Sequence, residues 1–572
     1  MLETATPIQT TPIGKRSIIL ATNVEAIFDW LSATHLRAVV ALLLLALACF
    51  LPGQASIPAI DRDEARYAQA TTQMLETGDF VDIRFHDKPR HYQPAGIYWL
   101  QALAVKLSGA ELPAPIRIHR LPSLIGACLI VLLAYWAALP LGDRRVAIIA
   151  GAMMAALLLL NIEARLAKTD AVLNATILVC QAVLLRLYLV DRDTHVPLGW
   201  SFAFWVAAGL GVLVKGPILV MIVGLTVIAA SALARDIGWL KGLRPLFGLP
   251  IALLIALPWY VAIWFATDGA FYAKAIGYSI TEKVATSMQA HGGPPGYYLV
   301  AALVTAWPIT AVAASALPSL WRCRRLPLVG FVAAWILPAW IAFELIATKL
   351  PHYVLPLYPG LALAAAWALV GERIDAERGW VRALFWLAAL GPIATVAAAV
   401  GAAIWLEGRA PPLAFALGAL VAILAIVSII LINARELLAG WLVLAVAAPV
   451  TYAAVFGVVA PRLDSLWLSP RLAAAVVEVS GCTDPQVISV GNDEASLIFA
   501  VGTGIVFGND ADAAKFLAKG GCRAAIVDSA AERSFQAEFT KLGLQPGPSV
   551  RITGLNIANG RSLDFGVYGP SQ

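Results

Sequence analysis

Charged side chains are scarce in this chain, and those away from the basic loops gather in a few segments rich in chemistry-bearing types. The first, Asp61-Arg62-Asp63-Glu64-Ala65-Arg66-Tyr67, directly follows an apolar run. Acids at a helix start are favoured by its dipole, which explains them without any chemistry. Beside a bilayer, however, an ionised carboxylate is costly unless it is paired or used. The second, His86-Asp87-Lys88-Pro89-Arg90-His91-Tyr92-Gln93-Pro94, carries cations suited to phosphate, whether of a substrate or of anionic head groups. The Tyr98-Trp99 pair that follows fits a membrane interface. Further segments hold Arg165, Lys168 and Asp170; Lys215-Gly216-Pro217; His291 through Tyr298; and Lys349-Leu350-Pro351-His352-Tyr353-Val354-Leu355-Pro356. Together they offer cations for a phosphate and carboxylates for positioning, acid–base work or charge stabilisation.

The elements that must position these residues are membrane spans. Only 13% of the 572 residues are charged and 60% are hydrophobic, where a soluble chain would carry roughly a quarter charged. The net charge of +5 is spread over short loops rather than gathered in a patch, which argues against a nucleic-acid partner. Thirteen apolar runs are long enough to cross about 30 Å of hydrocarbon. They centre on 38–56, 119–141, 145–162, 171–190, 198–214, 217–234, 246–266, 297–318, 327–346, 353–371, 380–405, 412–433 and 438–461. The Lys215-Gly216-Pro217 break divides the fifth from the sixth, since proline ends a helix. Residues 1–37 form an N-terminal cytoplasmic or interfacial segment, and the first run reads as a retained signal anchor.

Arginine and lysine in alternate loops orient the chain by the positive-inside rule: Arg144 and Arg145; Arg192; Arg235, Lys241 and Arg244; Arg322, Arg324 and Arg325; Arg373, Arg378 and Arg382; and Arg435. The opposite face carries the mixed-charge segments, in loops 57–118 and 163–170, at the Lys215 break, and in loops 267–296 (with Glu282, Lys283 and His291) and 347–352, which suggests one shared polar cavity. An odd number of spans puts the tail, 462–572, on that same face. There, short β-like runs (486–490, 524–527) alternate with helical stretches, giving a small α/β domain without a catalytic motif. Its Cys482 and Cys522 either pair in a disulfide, as a non-cytoplasmic location would permit, or remain two buried thiols.

These segments, in this order, resemble the GT-C glycosyltransferases that use polyprenyl-phosphate sugars. Within that superfamily they are most similar to the lipid A aminoarabinose transferases, relatives of the protein O-mannosyltransferases. The likeness rests on Asp63-Glu64-Ala65-Arg66-Tyr67, Lys215-Gly216-Pro217, the His291–Tyr298 loop and Lys349 through Pro356. It covers residues 38 to about 370 well, and the last spans and tail only by architecture. In one departure, Gln93 stands where such proteins have lysine before the proline that precedes the Tyr-Trp pair; Lys88 is the candidate to replace it.

The resemblance implies a polytopic α-helical membrane protein of GT-C type, with about thirteen transmembrane helices (38–461) and a small periplasmic α/β domain (462–572). It implies residence in a bacterial inner membrane, an undecaprenyl-phosphate donor of 4-amino-4-deoxy-L-arabinose and a lipid A phosphate as acceptor. Breaking a glycosyl–phosphate bond builds positive character on the sugar and negative charge on the leaving phosphate. The expected carboxylates are Asp63, then Asp170, then Glu64; the expected substrate-binding residues are Arg66, Lys88, Arg90, Lys215, His291, Lys349 and Tyr353. No cofactor is required by this reading; a divalent ion would have Glu64, His86 and His291 as its ligands, though no ligand spacing calls for one. The competing readings are protein O-mannosylation from the same donor class and transport of a lipid-linked sugar. Transport is the weaker, because the spans are nearly free of charge and show no repeat.

Overall fold

A computed structural model describes residues 12–191, 194–277, 292–545, 547–557 and 559–571; Arg192, Glu282, Lys283 and His291 lie outside the described residues. Among the described residues, ten helices are long and apolar enough to cross a membrane. The three other apolar runs are also helical, but short or broken: α2 (His35–Phe50), the pair Arg144–Ala156 and Leu158–Glu163, and the pair Tyr297–Thr305 and Ile309–Arg322. The two breaks face each other, and the Leu158 N–H donates to the Trp307 carbonyl (3.0 Å). Backbone freed by a break at membrane depth must find a partner inside the protein, and here each break serves the other.

The spans are apolar on every side. Helix Asp170–Leu189 is buried along most of its length, whereas outer helices expose Leu246, Leu254, Phe265 and Trp405. Exposed apolar surface on this scale marks contact with lipid rather than water. Helix α1 (Pro12–Ser32) precedes α2 and meets it at a sharp bend.

Between the first two spans lie α3 (Asp63–Thr77), a two-stranded hairpin β1 (Arg84–Phe85) and β2 (Lys88–Pro89), and α4 (Gly96–Ser108). The Gly96 Cα sits against the Leu213 carbonyl, where a Cβ would approach to 2.7 Å, so only glycine lets α4 pack this close to the span ending at Lys215.

The tail forms a five-stranded mixed sheet in the order β4-β3-β5-β7-β6, from β3 (Gln486–Val490), β4 (Val506–Phe507), β5 (Arg523–Asp528), β6 (Ser549–Leu555) and β7 (Ser562–Tyr568). The first three are parallel, and β7 runs antiparallel to its neighbours. The fully buried run Ala524–Val527 fits a central strand covered on both faces by helices. Cys482 and Cys522, 40 residues apart, are joined in a disulfide. Closing a loop of that length restrains the unfolded chain by about 4 kcal/mol. Reduction, or a Cys482→Ala/Cys522→Ala double substitution, is expected to leave the membrane helices intact and to open this domain selectively. Faster hydrogen exchange in β3 and β5 of the full-length protein is the readout; exchange unchanged on reduction would contradict it.

This domain sits on α3. Gln69 donates to the Thr503 hydroxyl (2.7 Å), Thr503 donates to Glu76 (2.8 Å), and the Ser496 N–H donates to Asp61 (3.0 Å). His86 meets the Ile505 carbonyl (2.8 Å) and packs its ring on Phe507. The helix that begins at Asp63 is thus braced by the tail from above.

Candidate active site

The segment 163–170 is held by two neighbours. Glu64 and Arg120, each 1% exposed at the side chain, form a two-pronged ion pair (2.8 and 2.9 Å). Arg120 spends its other donors on the Gln54, Ile57 and Pro58 carbonyls. Glu64 also accepts from the Ile60 and Ala167 N–H groups, both at 2.8 Å. With both oxygens committed, Glu64 is a brace between the start of α3 and the 163–170 segment. That bonding favours a bracing role for Glu64 over the expected roles of reactive carboxylate or metal ligand. The second neighbour is Gln101 on α4, which donates to the Ala167 carbonyl (3.0 Å).

On this frame five ionisable side chains from three segments converge. Lys215, at the C-terminal end of its helix, donates to Asp170 Oδ1 (2.6 Å). Lys168 lies 3.6 Å from Asp170 Oδ2 and 3.0 Å from Glu163 Oε1. His352 bridges the same two acids, with Nε2 3.9 Å from Asp170 and Nδ1 4.0 Å from Glu163. Burial alone would lower the Lys168 pKa, but the Glu163 and Asp170 carboxylates outweigh it and hold the ammonium above its ordinary value. Burial pushes the carboxyl of Glu163, which ends its short helix outside the ten spans, upward against the pull of Lys168. Its Oε2 is buried without a hydrogen-bond partner among the described residues.

Asp63 stands at the rim of this cluster. It is exposed on the first turn of α3 and makes no hydrogen bond or ion pair with any described residue, yet its charge acts on Lys168, Arg90, Tyr67 and Tyr98. The preceding Arg62 has φ +66°, a conformation costly for a non-glycine residue and one that turns the chain into α3. Arg66 is half-buried one turn on. Arg90 donates to the Tyr98 hydroxyl (2.7 Å) and lies over the Tyr67 ring at 4.7 Å; Tyr67 in turn donates to Gln93. Gln93 therefore positions the aromatic floor under Arg90 and supplies no charge.

The remaining expected residues fall elsewhere. Lys88 is exposed on the hairpin and makes no ion pair with the cluster among the described residues. His86 has both ring nitrogens engaged, by Asp87 and the Ile505 carbonyl, so it fits domain docking rather than metal binding. Lys349 is 5% exposed and bonds the Glu344 and Ile346 carbonyls (2.6 and 3.1 Å), with Glu344 Oε2 at 3.6 Å. Glu344 also accepts from the Gly296 and Tyr298 N–H groups, so Lys349 anchors the loop after His291 instead of lining the cluster. Tyr353 packs edge-on against His352. Among the described residues, no group of three or more His, Cys, Asp or Glu is arranged to hold a metal.

Lys168 and Lys215 bring the cationic groups that a phosphate needs to one place, and Asp63, exposed beside them, makes no hydrogen bond or ion pair among the described residues. A charge-assisted hydrogen bond contributes about 1.5–3 kcal/mol. Lys215→Met is therefore expected to raise KM for a phosphate-bearing substrate about 10- to 100-fold. Asp170→Asn, which releases Lys215, is expected to bind that substrate at least as tightly while turning over more slowly. Steady-state kinetics on both variants check this; an unchanged KM in Lys215→Met would contradict it.

Residues 36–270 match the family model described as dolichyl-phosphate-mannose-protein mannosyltransferase. The chain is 30% identical over 318 residues to an undecaprenyl phosphate-alpha-4-amino-4-deoxy-L-arabinose arabinosyl transferase of Pseudomonas paraeruginosa, covering 55% of this chain and 56% of the relative. It is 26% identical over 355 residues to that of Aeromonas salmonicida, covering 60% and 63%. The matched region thus spans less than two thirds of these relatives. A crystal structure of ArnT from Cupriavidus metallidurans bound to undecaprenyl phosphate superposes with a TM-score of 0.69 at 19% identity, covering 93% of this chain and 98% of that one.

Proposed function

We propose that this chain, a multi-pass membrane protein with the fold of the GT-C glycosyltransferases and sequence kinship to the aminoarabinosyl transferases, moves 4-amino-4-deoxy-L-arabinose from undecaprenyl phosphate to a phosphate of lipid A. The observation that carries the reading is the cluster of Asp170, Lys215, Lys168 and His352 beside Asp63, which is unpaired among the described residues, at one end of an apolar bundle. We assign that end to the periplasmic side of an inner membrane. The arginine-rich loops of the opposite end and the disulfide in the domain above Asp63 support this orientation.

In this reaction the bond between the sugar's anomeric carbon and the donor phosphate oxygen breaks, and its electron pair leaves with undecaprenyl phosphate. An oxygen of the acceptor phosphate forms the new bond from the opposite side, inverting the anomeric carbon. Lys215 and Lys168 hold the departing charge, with Arg66 and Arg90 at the rim. Asp63 faces the sugar, where a carboxylate stabilises positive character at the ring and holds the sugar's ammonium. The acceptor phosphate is already ionised, so no base is needed.

A hydroxyl acceptor would need one. The Glu163–His352 pair and the family model matched over 36–270 favour protein glycosylation as the second reading. The test is transfer by the purified chain in nanodiscs, given the aminoarabinose donor lipid with either lipid A or a serine- and threonine-rich peptide. Product on lipid A supports the first reading, and product on the peptide alone replaces it with the second.

A further inference from the structure

Helix α1 lies at the opposite end of α2 from Asp63, one span's length from the candidate active site, and N-terminal to the region that matches the family model. At about 100° per residue its described side chains sort into three faces. Ala21, Val24 and Phe28 pack on the bundle, Ala21 and Phe28 being 4% and 2% exposed. Thr22, Glu25 and Asp29 form a polar stripe; Glu25 lies within electrostatic reach of Glu436, Arg145 and Glu372, all at the loop end of the bundle. The third face, about 120° around the helix from the polar stripe, exposes Ile19 61%, Ile27 63% and Trp30 57%, with Asn23 as its one polar side chain.

A soluble protein would not leave these side chains in water. A spanning helix would not carry Glu25 and Asp29 on one stripe. We propose that α1 is an interfacial helix whose Ile19–Ile27–Trp30 face is buried in the acyl boundary of the leaflet opposite the active site. Three observations favour lipid as the occupant. The helix that α1 adjoins, α2, itself exposes Val40 and Leu44, part of the lipid-facing surface of the spans. The bend between the two helices, 113°, turns α1 away from the path of the span. Arg37 lies 4.5 Å above the Trp30 ring and remains exposed, a pairing suited to the head-group layer, where an indole meets phosphate. The polar stripe then faces water and the bundle closes the third side, which is the geometry of a helix lying in the membrane plane.

The test uses the full chain in phospholipid nanodiscs, with Cys128→Ala and Cys323→Ala removing the half-exposed thiols. Nitroxide labels are placed at Ile27→Cys and, separately, at Thr22→Cys. Collision with oxygen relative to a water-soluble nickel reagent is expected to be at least threefold greater at position 27 than at position 22. Equal, water-like collision at both would overturn the proposal. Dipolar coupling between the position-27 labels of two copies would overturn it in favour of a self-association surface. A second measurement needs no thiol: quenching by brominated lipid of the chain with all its tryptophans, compared with Trp30→Phe. The substitution is expected to remove a quenched component; identical fractional quenching in the two would contradict lipid burial of Trp30.

Discussion

Asp63→Asn is expected to abolish sugar transfer, lowering kcat by about 10²- to 10⁴-fold, while the protein folds and inserts normally. The magnitude follows from removing a charge aimed at the reacting centre. The folding clause follows from the structure, because Asp63 is exposed and no described residue depends on it for a hydrogen bond. If Asp63 only capped α3, Asn would be a fair replacement for its helix-start role, and activity would stay within a few-fold of the parent. Turnover and thermal unfolding measured on one preparation separate the two outcomes.

The neighbouring carboxylate should behave in the opposite way. Glu64→Gln leaves Arg120, 1% exposed, without its charged partner, and breaking a buried pair from one side costs about 3–5 kcal/mol. Arg120→Met leaves the Glu64 carboxylate equally stranded. Both variants are expected to lose most of their yield in the membrane, or to unfold well below the parent. Activity should fall with the folded fraction rather than beyond it, apart from any shift of the Ala167 segment. Replacing both partners with apolar residues of similar volume should recover part of the stability lost in either single variant, since no lone buried charge remains. Measuring unfolding temperatures of the two single variants and the pair tests this; a fully stable Glu64→Gln variant without activity would return Glu64 to the catalytic set.

That adjacent carboxylates have such different surroundings explains how far the sequence could be read. Asp170 and Lys215 are legible because each stands at the end of an apolar run, Lys215 as an isolated charge and Asp170 beside Arg165 and Lys168, a position that demands a partner. Glu163 ends an apolar run too, but of its two partners only Lys168 is near in sequence; His352 comes from a distant segment, and no local spacing announces the bridge. Arg120, 56 residues from Glu64, looks like one more basic residue at the start of a span. Lys349 resembles a substrate-binding lysine by its motif, yet Glu344, hidden inside a run that reads as pure span, claims it.

The bundle was legible because hydropathy counts apolar runs well. It could not show that two of those runs are broken where they meet: Pro308 marks one break, but nothing in the side chains around Leu157 marks the other. In the tail, the strand and helix pattern gave the fold type, while its seat on α3 depends on Thr503, Ser496 and a backbone carbonyl, groups without any sequence signature.

The most direct measurement is the mass spectrum of lipid A from a Gram-negative strain that lacks its own aminoarabinose transferase and expresses either this chain or its Asp63→Asn variant. The account predicts one or two added 4-amino-4-deoxy-L-arabinose units with the parent chain and none with the variant, at equal membrane levels of both proteins. Unmodified lipid A from the parent, with the protein folded in the membrane, would contradict it.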